Sequence, residues 1–265
     1  MASGCAAEFK KPLRICPGKA TAADAVSELN SHVAEAVPFK ANGQCQLRWW
    51  AQGREHYESF LVKLWVNPPR EIYLQGDVGF NAKGLVLGCN ADEFWLAIKP
   101  KEVSTFIWGR WSQKETSAQV IDPRLLLRAF GLSEIDKQAV WLLSNESGFD
   151  VLTKWQKDGG RLKVHIEACD YLVKRSEYFS YDGQKIIDVE MDKYKQVGEG
   201  FPVPTMIKTS ARNNDGTKNT LQIILTAPTP TILTEKQCSL LFTLPESEGF
   251  EHVYEIVNGE MIKRR

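Results

Sequence analysis

The 265 residues suffice for one large all-β or α/β domain or two small ones, and either arrangement can bury a sizeable core. A composition that is 43% hydrophobic and 25% charged excludes disorder as the main state. Thirty-three basic side chains balance thirty-three acidic ones with no long basic stretch, so the electrostatic footprint of a nucleic-acid binder is missing. The longest apolar runs, such as residues 221–227, fall far short of the roughly 20 residues that a membrane-crossing helix needs.

The chain begins Met1-Ala2-Ser3-Gly4-Cys5-Ala6, which resembles the end of a bacterial lipoprotein signal peptide. Small residues precede Cys5, while the leucine usual in that motif is replaced by Ala2 and no apolar segment stands in front of it. Lipidation of Cys5 after cleavage from a longer precursor is therefore expected, with residues 1–18 as lipobox and tether and residues 19–265 as one domain. Ala6, in place of aspartate, argues against retention in the inner membrane. The other cysteines, Cys16, Cys45, Cys89, Cys169 and Cys238, include no C-x-x-C pair, which disfavours a metal held through sulfur. Their pairing stays open, and Cys45 and Cys89, lying in apolar alternating runs, read as small core residues.

The first element is an amphipathic helix over residues 21–36, with Ala22, Val26, Leu29 and Val33 on one face, Thr21 as cap and Pro38 as stop. Period-two patterns follow. Cys45, Leu47 and Trp49 alternate with polar neighbours, and Phe60, Val62, Leu64 and Val66 form a second strand ended by Pro68-Pro69. Further strands are predicted over Glu71–Val78, 85–89, Glu93–Ile98 and 103–108. Asp122-Pro123 opens a short helix carrying Leu125, Leu126, Leu127 and Phe130 and ended by Gly131. Tight-turn signals at Asp158-Gly159-Gly160, Tyr181-Asp182-Gly183, Asn214-Asp215-Gly216 and Asn258-Gly259 predict antiparallel hairpins through the second half. The sum is a mostly β, α+β chain: one curved antiparallel sheet of about ten strands with two helices on one face, with a two-sheet sandwich as the alternative that period alone leaves open.

Catalytic and metal-binding signatures are missing from the pattern. His32, His56, His165 and His252 fall in four separate elements, and neither H-E-x-x-H nor G-x-S-x-G occurs. Ser144-Asn145-Glu146-Ser147-Gly148 and Gly198-Glu199-Gly200 read as turns. Asp188, Glu190 and Asp192 alternate with Ile187, Val189 and Met191, the pattern of a half-buried strand with a solvated acidic face. No enzyme activity, catalytic residue, metal or cofactor is predicted. Eight tryptophans serve either a large core or a stacking surface for sugars, with Trp108-Gly109-Arg110-Trp111 read as an exposed strand end.

The order of a lipobox-like cysteine, an amphipathic helix, the strand text from Lys63 through Pro68-Pro69 to Leu74, the Gly88-Cys89-Asn90-Ala91-Asp92-Glu93-Phe94-Trp95-Leu96 run and the Asp122-Pro123-Arg124-Leu125-Leu126 helix start resembles the LolA/LolB-like superfamily, the periplasmic lipoprotein carrier and the outer-membrane lipoprotein receptor. The likeness spans nearly the whole domain, on motifs that are pattern-level. It implies an incomplete antiparallel barrel, or half-barrel, whose concave apolar face is covered by helices and takes the acyl chains of lipoproteins or lipids. The inward positions are then Leu47, Trp49, Phe60, Val62, Leu64, Ile72, Leu74, Leu85, Leu87, Phe94 and Leu96. It also implies a membrane-transfer loop at Phe80.

The function expected from these readings is that of a lipid-anchored envelope lipoprotein at the outer membrane, facing the periplasm, a chaperone of acyl chains in lipoprotein transport. It is expected to be a monomer that binds no nucleic acid. The alternative is a non-transporting envelope lipoprotein that binds glycan or a partner protein through exposed aromatics.

Overall fold

A computed structural model describes residues 15–51, 53–78, 81–100, 103–111, 123–156, 159–213, 215–258 and 260–265. Fifteen strands join in a single sheet: β1 (Phe39–Ala51), β2 (Arg54–Asn67), β3 (Glu71–Val78), β4 (Asn81–Cys89), β5 (Glu93–Ile98), β6 (Thr105–Arg110), β7 (Leu142–Glu146), β8 (Phe149–Trp155), β9 (Arg161–Glu167), β10 (Leu172–Phe179), β11 (Lys185–Val197), β12 (Phe201–Arg212), β13 (Lys218–Pro230), β14 (His252–Val257) and β15 (Glu260–Lys263). Three helices accompany them: α1 (Ala22–Ala34), α2 (Pro123–Ala129) and α3 (Glu235–Phe242). Across the sheet the order is β15-β14-β6-β5-β4-β3-β2-β1-β13-β12-β11-β10-β9-β8-β7, and among the described residues the two end strands do not pair with each other, so the sheet does not close into a barrel.

Three expectations need correction. The described residues hold fifteen strands and not about ten. Several hairpins turn without a glycine-rich signal, such as the reversal between β9 and β10, where Tyr171 takes a positive φ of 53°. The sheet is not wholly antiparallel, because β14 pairs parallel with β6, a contact between residues nearly 150 positions apart that no local pattern announces. A third helix, α3, starts at a capping box in which Thr234 and Gln237 satisfy each other's backbone N–H groups.

Other expectations agree with the structure. Glu71–Val78 and Glu93–Ile98 are strands with those bounds, β2 stops before Pro68-Pro69, and α1 is capped by Thr21, whose hydroxyl accepts from the Asp24 N–H at 3.1 Å. Gly159, Gly183 and Gly216 turn their hairpins at positive φ; Asp158, Asn214 and Gly259 lie outside the described residues, as does Asp122 before α2.

Register explains the core. Opposite residues of paired strands share a face, and one row runs Met191, Ile207, Ile223, Cys45 and Phe60 from β11 to β2, with every member buried. A second row runs Leu64, Leu74, Leu87 and Leu96 from β2 to β5. Both rows lie on one face, called inner here, and belong to one large cluster. Gly76 sits on this face because the Phe60 ring covers it: a Cβ there would stand 2.5 Å from Phe60 Cε2. The same register continues through Val189, Ser176, Val164 and Leu152, where a second cluster packs beneath Ala25, Val26 and Leu29 of α1. On the outer face of β4–β6, Val86, Trp95, Ala97 and Phe106 pack with Val253 of β14, Leu244 and Phe250.

Candidate functional site

The inner face is the candidate site. Phe60, Val62, Leu64, Ile72, Leu74, Leu85, Leu87, Phe94 and Leu96 are all buried in the one large cluster. Leu47 is half-buried against its edge. Trp49 also points to the inner face but stands apart from the cluster, its ring stacked on His56 at 5.1 Å. Burial pushes the Cys45 thiol up to about 12, so it packs as a small apolar group. Cys5 and Phe80 lie outside the described residues.

The other half of the same face comes from strands that the sequence pattern does not place on it. Ile187, Val189, Met191, Ile207, Leu221, Ile223 and Leu225 bring β11, β12 and β13 into the cluster with Phe39 and Phe201. Their signal was present in the alternation of Ile187, Val189 and Met191, which the acidic partners in that strand overshadowed.

The α2 segment packs into the same cluster. Leu125, Leu126 and Leu127, three consecutive residues, are all buried, as are Ala129, Phe130 and Leu132, and all belong to the large cluster. Phe130 meets Phe39 edge-on at 5.9 Å. A short helix buried on several sides is stabilised by packing and not by its own length. Arg128 Nη1 donates to the Tyr178 hydroxyl at 2.6 Å.

The attachments of α1 are of another kind. The fully buried Asp150 carboxylate accepts from the Lys19 N–H at 2.8 Å, Asn145 Nδ2 at 2.6 Å and the Tyr171 hydroxyl at 3.1 Å. Burial, with the neighbouring Asp150 charge second, pushes the Tyr171 phenol up, so it remains a donor. A disulfide joins Cys16 to Cys169 in the β9–β10 turn, and Asn30 exchanges two hydrogen bonds with the Ile135 backbone. Between α1 and α2 lies a cavity of about 50 Å³, lined by Leu29, His32, Arg128, Phe130, Tyr194 and Phe201 among others.

Two further readings change. Asp188 is not simply solvated: it accepts from Arg175 and Lys185 in a network that also holds Glu177 and His165 on the outer face. Trp111 is no free strand end, since its indole N–H donates to the Asn90 carbonyl at 2.6 Å and its ring meets Phe94 at 5.1 Å. Among the described residues no three His, Cys, Asp or Glu side chains group as metal ligands.

The fold is similar to that of known proteins at low sequence identity. A domain assigned to outer membrane lipoprotein sorting from Vibrio parahaemolyticus is 14% identical, covering 81% of this chain and 94% of that one with a TM-score of 0.57. A DUF1329 family protein from Desulfovibrio piger is 12% identical, with coverage of 83% and 97% and a TM-score of 0.56. A LolA superfamily protein from Nitrosomonas europaea is 11% identical, with coverage of 80% and 96% and a TM-score of 0.50. No family model and no curated protein matches the chain. Its fold is LolA-like, in agreement with the resemblance seen in the sequence.

Proposed function

We propose that this chain is a cell-envelope protein that holds acyl chains of lipoproteins or lipids in a half-barrel and carries them toward the outer membrane without covalent chemistry. The observation that carries the reading is α2. It contacts both β4 and β11, which stand six places apart in the sheet. Six strand spacings span about 29 Å in a flat sheet, whereas a helix of seven residues is about 10 Å long. A helix that reaches both strands supports a sheet bent around it, with α1 and α2 over the concave face.

The leucines of α2 then occupy the place of a ligand. Burying a chain of about 16 carbons contributes on the order of 10 kcal/mol before ordering terms. Binding exchanges one apolar occupant for another, which keeps the net affinity moderate and release feasible, as a carrier requires. A disulfide and the Asp150 cluster secure α1, so the element that moves is α2.

The disulfide favours an oxidising compartment, in keeping with an envelope protein anchored through a lipid on Cys5 and facing the periplasm. Phe80, between the ends of β3 and β4, serves as the membrane-transfer residue in this reading. The likeness to a domain assigned to lipoprotein sorting supports the cargo class. The alternative, glycan or partner binding through exposed aromatics, draws on Trp50 and Trp155, which are 40% and 54% exposed. These lie on β1 and β8, six places apart in the sheet.

Native mass spectrometry of the delipidated full chain mixed with 1-monopalmitoylglycerol tests the proposal. A one-to-one adduct is expected, together with a blank glycan array. No adduct alongside glycan binding overturns the reading in favour of the alternative.

A further inference from the structure

The topology sorts the charges of a chain whose net charge is zero. Strand pairing sets the turns β1–β2, β3–β4, β5–β6, β8–β9, β10–β11 and β12–β13 at one end of the sheet, and the turns β2–β3, β4–β5, β7–β8, β9–β10, β11–β12 and β14–β15 at the other. Among the described residues, and counting the strand residue on either side, the first set holds Arg54, Lys99, Arg161, Lys185, Arg212 and Lys218 against Asp182 and Asp215. In the second set every turn holds a carboxylate, through Glu71, Glu93, Glu146, Glu167, Glu199 and Glu260, and among the described residues Arg70 is the one cation. Composition hides this segregation because the two ends offset each other.

The exposed aromatic rings are sorted in the same way. Trp50, Tyr57, Trp155 and Tyr181 are 40%, 50%, 54% and 83% exposed, and all four stand at the basic end. Trp50 and Tyr57 flank the β1–β2 turn, Trp155 ends β8, and Tyr181 lies in the β10–β11 turn. Among the described residues no tryptophan or tyrosine is as exposed at the acidic end. The four are spread from β1 to β8 along the sheet order, a spacing that suits an extended surface better than one small ligand. Lys185 is already met by Glu177 and Asp188, whereas Arg54, Lys99, Arg212 and Lys218 are exposed.

We propose that the basic end of the sheet is a membrane-docking surface and that its partner is a bilayer containing anionic lipid. Cations close to such a surface are attracted by the headgroup charge, and tryptophan and tyrosine rings settle at headgroup level, where one side is apolar and the other wet. The acidic end is repelled by the same surface and faces away from it, so the charge segregation also fixes how the molecule stands. The inference is independent of the acyl-chain binding proposed above and of the role given there to Phe80.

Cosedimentation of the full chain, free of lipid modification, with sucrose-loaded vesicles at low ionic strength tests the proposal. Vesicles of phosphatidylcholine mixed with phosphatidylglycerol should bind the chain, and vesicles of phosphatidylcholine alone should bind it far more weakly. One cation near an anionic surface changes affinity about fivefold, so the triple variant Arg54→Gln, Arg212→Gln, Lys218→Gln should bind the anionic vesicles about 100-fold more weakly. Trp155→Ala combined with Tyr181→Ala should weaken binding while keeping its dependence on salt. All five side chains are exposed, so both variants should melt at the temperature of the unmodified chain. No binding to the anionic vesicles, equal binding to both kinds, or a triple variant that binds as tightly as the unmodified chain overturns the docking surface. Retention of the unmodified chain on polyglutamate with none on the vesicles overturns it in favour of an acidic protein partner. The adduct with 1-monopalmitoylglycerol is measured without vesicles, so acyl-chain binding stands or falls separately.

Discussion

Leu126→Ala separates a helix that is a permanent part of the core from one that gives way to ligand. Leu126 is 3% exposed within the large cluster. Shortening a buried leucine to alanine destabilises by about 3 kcal/mol or somewhat more, from lost transfer energy and the cavity left behind. That loss falls on the closed state alone if α2 leaves the face before an acyl chain enters. The apparent dissociation constant carries the fraction of molecules in the open state, so 3 kcal/mol becomes about 100-fold tighter binding. Leu64→Ala is the control: Leu64 is fully buried on β2, and its truncation lowers stability by a similar amount while removing a wall that helix and ligand share. Urea denaturation gives the stabilities, and displacement of an uncharged acyl-pyrene probe gives the affinities. The reasoning predicts opposite behaviour of two equally destabilised variants, tighter binding for Leu126→Ala and equal or weaker binding for Leu64→Ala. Loss of stability in Leu126→Ala with unchanged or weaker binding would refute it.

Three other predictions test separate features. The Cys16–Cys169 bridge closes a loop with a sequence separation of 153, for which the chain-entropy relation gives about 5 kcal/mol; replacing both cysteines by serine should lower the unfolding free energy in urea by that order, and a loss below about 1 kcal/mol contradicts the staple assigned to α1. Burial alone raises the carboxyl pKa of Glu177 and Asp188, yet hydrogen bonds from Lys185 and His165 to the first and from Arg175 and Lys185 to the second outweigh it and hold both below their ordinary values of 4.5 and 3.8. Depressed carboxylates stabilise the fold fully above those values and lose their contribution as pH falls through the folded pKa, so stability should decline on acidification below about pH 5, and Glu177→Gln should flatten that decline in a thermal melt series. Phe80→Glu should leave the melting temperature unchanged and abolish transfer of acyl ligand to liposomes; transfer at the unmodified rate removes Phe80 from that role.

Local chemistry was readable from the residues wherever a segment's own pattern decides its structure. The spacing of Ala22, Val26, Leu29 and Val33 and the cap at Thr21 define α1, and alternation in Glu71–Val78 and Glu93–Ile98 defines two strands with their bounds. The start of β4 at Asn81 was missed because Lys83, at a φ of 57°, interrupts the alternation ahead of Leu85. The first half of the apolar face was legible for the same reason, since Phe60, Val62 and Leu64 alternate without interruption. Features made by distant segments were not. The Cys16–Cys169 pair is one of several pairings that the spacing allows, and the parallel pairing of β14 with β6 leaves no periodic trace. Trp111 reads as exposed beside Arg110 until the β4–β5 turn brings the Asn90 carbonyl to it. The triple leucine of α2 signalled a buried helix but not which strands it would meet.

The most direct measurement is a crystal structure of the chain with a bound acyl ligand such as 1-monopalmitoylglycerol. The account predicts the hydrocarbon lying against Leu64, Leu74, Leu87 and Ile223, with Leu125, Leu126 and Leu127 withdrawn from the cluster they now share with those residues. A ligand bound elsewhere, with α2 still seated between β4 and β11, would contradict it.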